Sequence, residues 1–116
     1  MYRWFDESEF ACKETGTNEI KPELIHALDE LRERLGRPLI ITSGYRHPTH
    51  SAERNKTTGP GTHSQGIAAD IAVNNGFERM TLVHEALKLG FPAIGIAKTF
   101  IHLDIRKTDK PVMWTY

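Results

Sequence analysis

Two histidines and an aspartate stand where two alternating apolar stretches can bring them around one ion. Residues 63–73 read HSQGIAADIAV and residues 100–106 read FIHLDIR. Side chains alternate faces along a strand. Ile67, Ala69, Ile71 and Val73 therefore share one side, and Ala68, Asp70 and Ala72 the other. Ile101, Leu103 and Ile105 likewise leave Phe100, His102, Asp104 and Arg106 opposite. Both strands read as half-buried, with the chemical residues pointing away from the core. Zinc accepts nitrogen and oxygen donors, and a catalytic site supplies three protein ligands and leaves one position for water. His63, Asp70 and His102 match that count. Only one of the three is anionic, so a divalent ion there keeps a net charge of about +1, which favours ionisation of water and polarises a carbonyl. Taken singly, His63 reads as a polar loop residue, Asp70 as a turn cap and His102 as a sheet-edge side chain. An aspartate inside an Ile-Ala run is nevertheless costly without a partner, and an ion is the simplest partner on offer.

The elements that must position these residues follow from pattern. Phe10 anchors an aromatic and acidic arm that begins a short helical turn near Asp6 or Ser8, and residues 15–18 form a loop. Pro22 opens a helix, Leu24, Leu28, Leu31 and Leu35 repeat along it, and Gly36 stops it. His26 on that helix reads as an ordinary surface residue. Residues 38–42 read as a buried strand feeding a long segment, 47–62, with one short helix around 49–54. Loops of that length are usually functional. Phe77 to Leu89 forms a second amphipathic helix, with Met80, Val83, Leu87 and Ala86 expected inward. Residues 93–97 and 100–105 make a hairpin through Lys98 and Thr99, and residues 112–116 add a short edge strand. The order points to one α+β domain over residues 1–116, an antiparallel-rich sheet with helices on one face.

Composition narrows the function classes. Lys and Arg total 15 and so do Asp and Glu, leaving no basic field for nucleic acid. Cys12 is the single cysteine, so no internal disulfide forms. No apolar run reaches the length of a membrane span, and the start lacks the apolar stretch of a signal peptide. A monomer made in the cytoplasm is expected, with any action outside the membrane following release.

The motif set as a whole resembles a known family. Ser43-Gly-Tyr-Arg46, then His63-x-x-Gly66-x-Ala68-x-Asp70, then His102-x-Asp104, are similar to the signatures of the zinc D-alanyl-D-alanine carboxypeptidases, peptidase family M15. That family includes phage and bacterial cell-wall endopeptidases and shares its metal framework with the signalling domain of hedgehog proteins. The likeness is to the small single-domain branch and covers roughly residues 5–106. It implies a hedgehog/DD-peptidase-like fold, Zn²⁺ held by His63, Asp70 and His102, and hydrolysis of an amide in a peptidoglycan stem peptide. Arg46 matches the arginine that faces substrate, where it binds a carboxylate or steadies an oxyanion; the alternative is a structural pair with a loop carboxylate. Ser43 matches a serine near the site or caps a turn. Tyr45 lines the cleft or packs. His47 and His50 sit in the long loop within reach of substrate. Gly61 stands where many relatives carry serine. Residues 97–101 offer no acid or imidazole at the usual position of the general base, so Asp104 is the substitute by strand parity. Its alternatives are to orient a ligand histidine or to pair with Arg106. A zinc-stabilised wall-binding module, or a phage structural module without hydrolytic activity, remains the other reading.

Overall fold

The two alternating stretches become adjacent strands. In the computed structural model, which describes residues 2–54, 56 and 61–116, a 3-10 turn at Glu7–Phe10 is followed by α1 (Pro22–Leu35), β1 (Ile41–Ser43), α2 (Ser51–Arg54), β2 (Ala68–Ala72), α3 (Gly76–Leu89), β3 (Ala93–Ile96), β4 (Phe100–Asp104) and β5 (Val112–Thr115). The sheet order is β1-β2-β4-β3-β5. All neighbours run antiparallel except β3 and β5, which are parallel. The sheet is therefore mixed, and β4 sits at its centre. β1 starts three residues later than the pattern of residues 38–42 suggests.

Helix ends form where the sequence signals them. Pro22 occupies the first turn of α1, and Gly36 ends it with φ 67°, its N–H donating to the Arg32 carbonyl. Asn75 caps α3 by accepting from the Glu78 N–H at 2.8 Å. Leu24, Ile25, Leu28 and Leu31 of α1 are fully buried, together with Ile71, Leu82, Ile94, Ile101 and Leu103. This core lies on the Ile71 and Ile101 face of the sheet. The radius of gyration is 13.4 Å, matching the roughly 13 Å of one compact domain of this length.

Two expectations are corrected. The inward face of α3 is set by Leu82 and Ala86, while Met80 is 70% and Leu87 55% exposed. Residues 77–89 carry two apolar stripes, and the small Ala86 side chain lets α3 pack closely against the core. Strand β2 is also not half-buried: Ala68 and Asp70 on its far face are buried as well. The segment around Arg46, Glu53 and His63 covers that face. Part of this segment, residues 55 and 57–60 of the expected cleft wall, lies outside the described residues.

Gly66 fixes how that cover begins. Its φ is +76°, and a Cβ there would lie 2.2 Å from the Glu19 carbonyl oxygen. Its own carbonyl accepts from the Lys21 N–H at 2.8 Å. Gly66→Ala should lower the unfolding free energy by about 2–4 kcal/mol in urea titration, combining a left-handed backbone with a backbone clash. Gly16→Ala, at φ +78° with open space around it, should cost only about 1 kcal/mol. Equal losses would contradict the packing role.

Candidate metal centre

One cross-strand row builds the floor of the site. Ser43 on β1 pairs with Asp70 on β2, Asp70 with His102 on β4, His102 with Gly95 on β3, and Gly95 with Trp114 on β5. Residues in register share a face, so alternation alone carries these groups to one side. His63 comes from the turn before β2. One ligand atom from each of His63, Asp70 and His102 lies within 4.8 Å of the others, and all three residues are buried.

Hydrogen bonding decides which nitrogens face inward. His63 Nδ1 lies 2.8 Å from the Gly44 carbonyl, an acceptor only. Nδ1 therefore carries the proton, and the Nε2 lone pair points to Asp70 Oδ1 at 3.3 Å. His102 Nε2 donates to Asp104 Oδ2 at 2.7 Å, which leaves the Nδ1 lone pair facing Asp70 Oδ1 at 3.2 Å. Three electron-rich atoms thus face one another. A proton or a cation must lie among them, and two nitrogens with one carboxylate oxygen suit zinc. Burial penalises the charge on Asp70, but without a cation a proton held by His102 or His63 and directed at the carboxylate outweighs that penalty and keeps the carboxyl far below its usual range. Burial likewise opposes the imidazolium of His102, yet Asp104 and Asp70 together raise its pKa.

Arg46 locks the aspartate from the other side. Its Nη2 donates to Asp70 Oδ2 at 3.2 Å, its Nη1 to Glu53 Oε2 at 3.1 Å and its Nε to Ser43 Oγ at 3.0 Å. Ser43 is thus an acceptor for Arg46 beside the site. Glu53 is fully enclosed and also accepts from Lys56, the Gly61 N–H and Ser64. Burial opposes its charge, but the bonds from Gly61, Arg46 and Lys56 bring its pKa down to about 2. A cleft of about 500 Å³ opens over the triad and is walled by Arg46, Lys56, Arg106, Trp114 and Tyr116 among others.

The structure decides four sequence-based assignments, of which those of Tyr45 and Asp104 stood open between alternatives. Tyr45 is 2% exposed and donates from its hydroxyl to Glu19 at 3.1 Å, so it packs rather than lining the cleft. His50 pairs with Glu14 at 3.4 Å and accepts from the Ala52 N–H, away from the cleft lining; His47 is bonded to Thr49. Asp104 shares the His102 face but is fully buried, and both its oxygens are engaged by Arg106 at 2.7 and 2.9 Å and by His102. It has no free lone pair directed at the cleft, which fits a group that orients His102. Glu53, Lys56, Trp114 and Tyr116 are not singled out as site residues by the sequence. Trp114 and Tyr116 share a strand face at spacing two, a legible signal; Glu53 carries none, because only the fold of the intervening loop brings it to Arg46.

Two outcomes follow. In the metal-free chain, Glu53 adds stability that is complete above its unfolded pKa of about 4.5 and is lost as pH falls toward 2. Glu53→Gln should remove about 3 kcal/mol near neutral pH and flatten that acid limb in urea melts. Asp104→Asn should weaken zinc binding about tenfold or more in chelator competition, through loss of the charged partner of His102. Unchanged affinity would rule that role out.

No curated protein matches the sequence. The peptidase M15 family matches residues 4–104, a span containing β1 to β4 and every member of the triad. With the His-Asp-His cluster at the floor of an open cleft, the chain belongs to the peptidase M15 family.

Proposed function

We propose that the chain hydrolyses an amide bond in peptidoglycan stem peptides, as a DD-carboxypeptidase or endopeptidase, using zinc held by His63, Asp70 and His102. The observation that carries this reading is the convergence of three ligand atoms within 4.8 Å beneath an open cleft, in a member of a peptidase family. A bound zinc ion supplies Lewis acidity, polarising a carbonyl and acidifying water. Asp70 is held for this by Arg46, and His102 by Asp104. Arg46 also borders the cleft, where its guanidinium steadies an oxyanion as charge develops. Asp104 is not the proton acceptor, because its oxygens are occupied. The setting we propose is the cell wall, with a phage or prophage product as one origin.

A second reading has its own observation. Among the described residues lining the cleft, every carboxylate and imidazole belongs to the triad. A zinc-stabilised module that grips the wall without cutting it fits such a cleft.

Incubating the purified zinc-loaded chain with peptidoglycan and weighing the released muropeptides separates the two. Cleavage that disappears on chelation and in His63→Ala, and returns with one equivalent of zinc in the wild type, supports hydrolysis. Cleavage surviving in a folded His63→Ala chain would falsify the metal mechanism. One zinc per chain with wall affinity but no products selects the binding module. No helix among the described residues is long and apolar enough to cross a membrane.

A further inference from the structure

Arg46 and Arg106 both border the cleft, but their guanidinium groups are committed differently. Each nitrogen of Arg46 donates to an oxygen of the chain, on Ser43, Glu53 or Asp70. Arg106 spends Nε and Nη2 on the two oxygens of Asp104, at 2.9 and 2.7 Å. Its Nη1 makes no hydrogen bond among the described residues, and its side chain is 35% exposed. The guanidinium carbon lies 5.3 Å from the centre of the Trp114 ring, within cation–π range. Trp114 in turn lies 5.1 Å from the His102 ring.

Trp114 reaches this place because Gly95 is bare. The two are register partners on β3 and β5, and a Cβ on Gly95 would come within 2.7 Å of the indole. The ring therefore crosses β3 to lie beside both Arg106 and His102. Arg106 is fixed on two sides, by a bidentate carboxylate and by an aromatic face, so little freedom is lost when it binds. Asp104 is shared with His102, so its charge is divided between two donors.

We infer that Arg106, positioned by Asp104 and Trp114, is the carboxylate-binding group of this cleft and selects substrates that carry a free carboxylate. The inference rests on reading the cleft as a peptide site and names its substrate class. The carboxylate is either the peptide's C-terminus or an acidic side chain; a guanidinium N–H recognises both alike. β5 lies beyond residues 4–104, the part of the chain that the family matches.

The test needs no turnover. Trp4 and Trp114 are the two tryptophans, so Trp4→Phe leaves Trp114 as the sole indole reporter. The zinc-loaded Trp4→Phe chain is titrated with N-acetyl-D-alanine, with its carboxamide, and with N-acetyl-D-glutamic acid 1-amide. At least one carboxylate probe should bind about tenfold or more tightly than the carboxamide, and which one does so names the source. Arg106→Gln should abolish the preference at unchanged zinc content, and Arg106→Lys should restore part of it. Equal binding of acid and carboxamide by the Trp4→Phe chain overturns the inference. So does a preference that persists in Arg106→Gln, since the metal or Arg46 would then be its origin. A chain that shows the preference but releases no muropeptides retains Arg106 as the anchor and loses the hydrolytic reading. A chain that cuts without the preference does the reverse.

Discussion

Asp70 places a negative charge in the middle of the sheet, and the far face of that sheet is built around satisfying it. A buried ionised carboxylate costs several kcal/mol unless other groups replace its water. Here one oxygen faces two imidazole lone pairs and the other accepts from Arg46. Each partner is itself held: His63 by the Gly44 carbonyl, His102 by Asp104, and Arg46 by Ser43 and Glu53. The outward N–H groups of both imidazoles are spent on the protein. Only lone pairs remain to point inward, and a cation resolves the resulting repulsion.

The same constraint explains why the polar face is buried. A satisfied carboxylate needs partners from several segments, and those segments exclude water as they arrive. The turn through Gly66 starts this cover, and the Arg46–Glu53 pair closes one side of it. β5 closes the other, pairing in parallel with β3 and laying Trp114 over Gly95. The cleft is thus asymmetric. One wall is a loop whose Arg46 and Lys56 pair with Glu53, and the other is formed by Arg106 just past β4, Trp114 on β5 and Tyr116 just past it.

Much of this arrangement is legible in the chain. Period-two alternation in 67–73 and 100–106 assigns Asp70 and His102 to a common face. The Pro22 and Gly36 signals bound α1, and Phe10 does anchor the N-terminal arm, its carbonyl accepting from the Tyr45 N–H at 2.7 Å. Two apolar stripes on α3, by contrast, satisfy the same helical period. Only the space left between α1 and β4 selects Leu82 and Ala86 over Met80 and Leu87. Asp104 shows the limit of parity. Its face was readable from alternation, but Arg106 and His102 decide whether its oxygens reach solvent.

The sequence by itself determined the strand faces, the helix ends and the identity of the candidate metal-binding set, because these depend on neighbours within a few residues and on side-chain chemistry. The tertiary structure alone decided which strands became neighbours. It placed β4 between β2 and β3, brought Trp114 to His102 and Glu53 to Arg46, and took Tyr45 and His50 away from the cleft. The reason is physical: backbone periodicity is a local property, whereas strand order is settled by the whole core competing for burial at once.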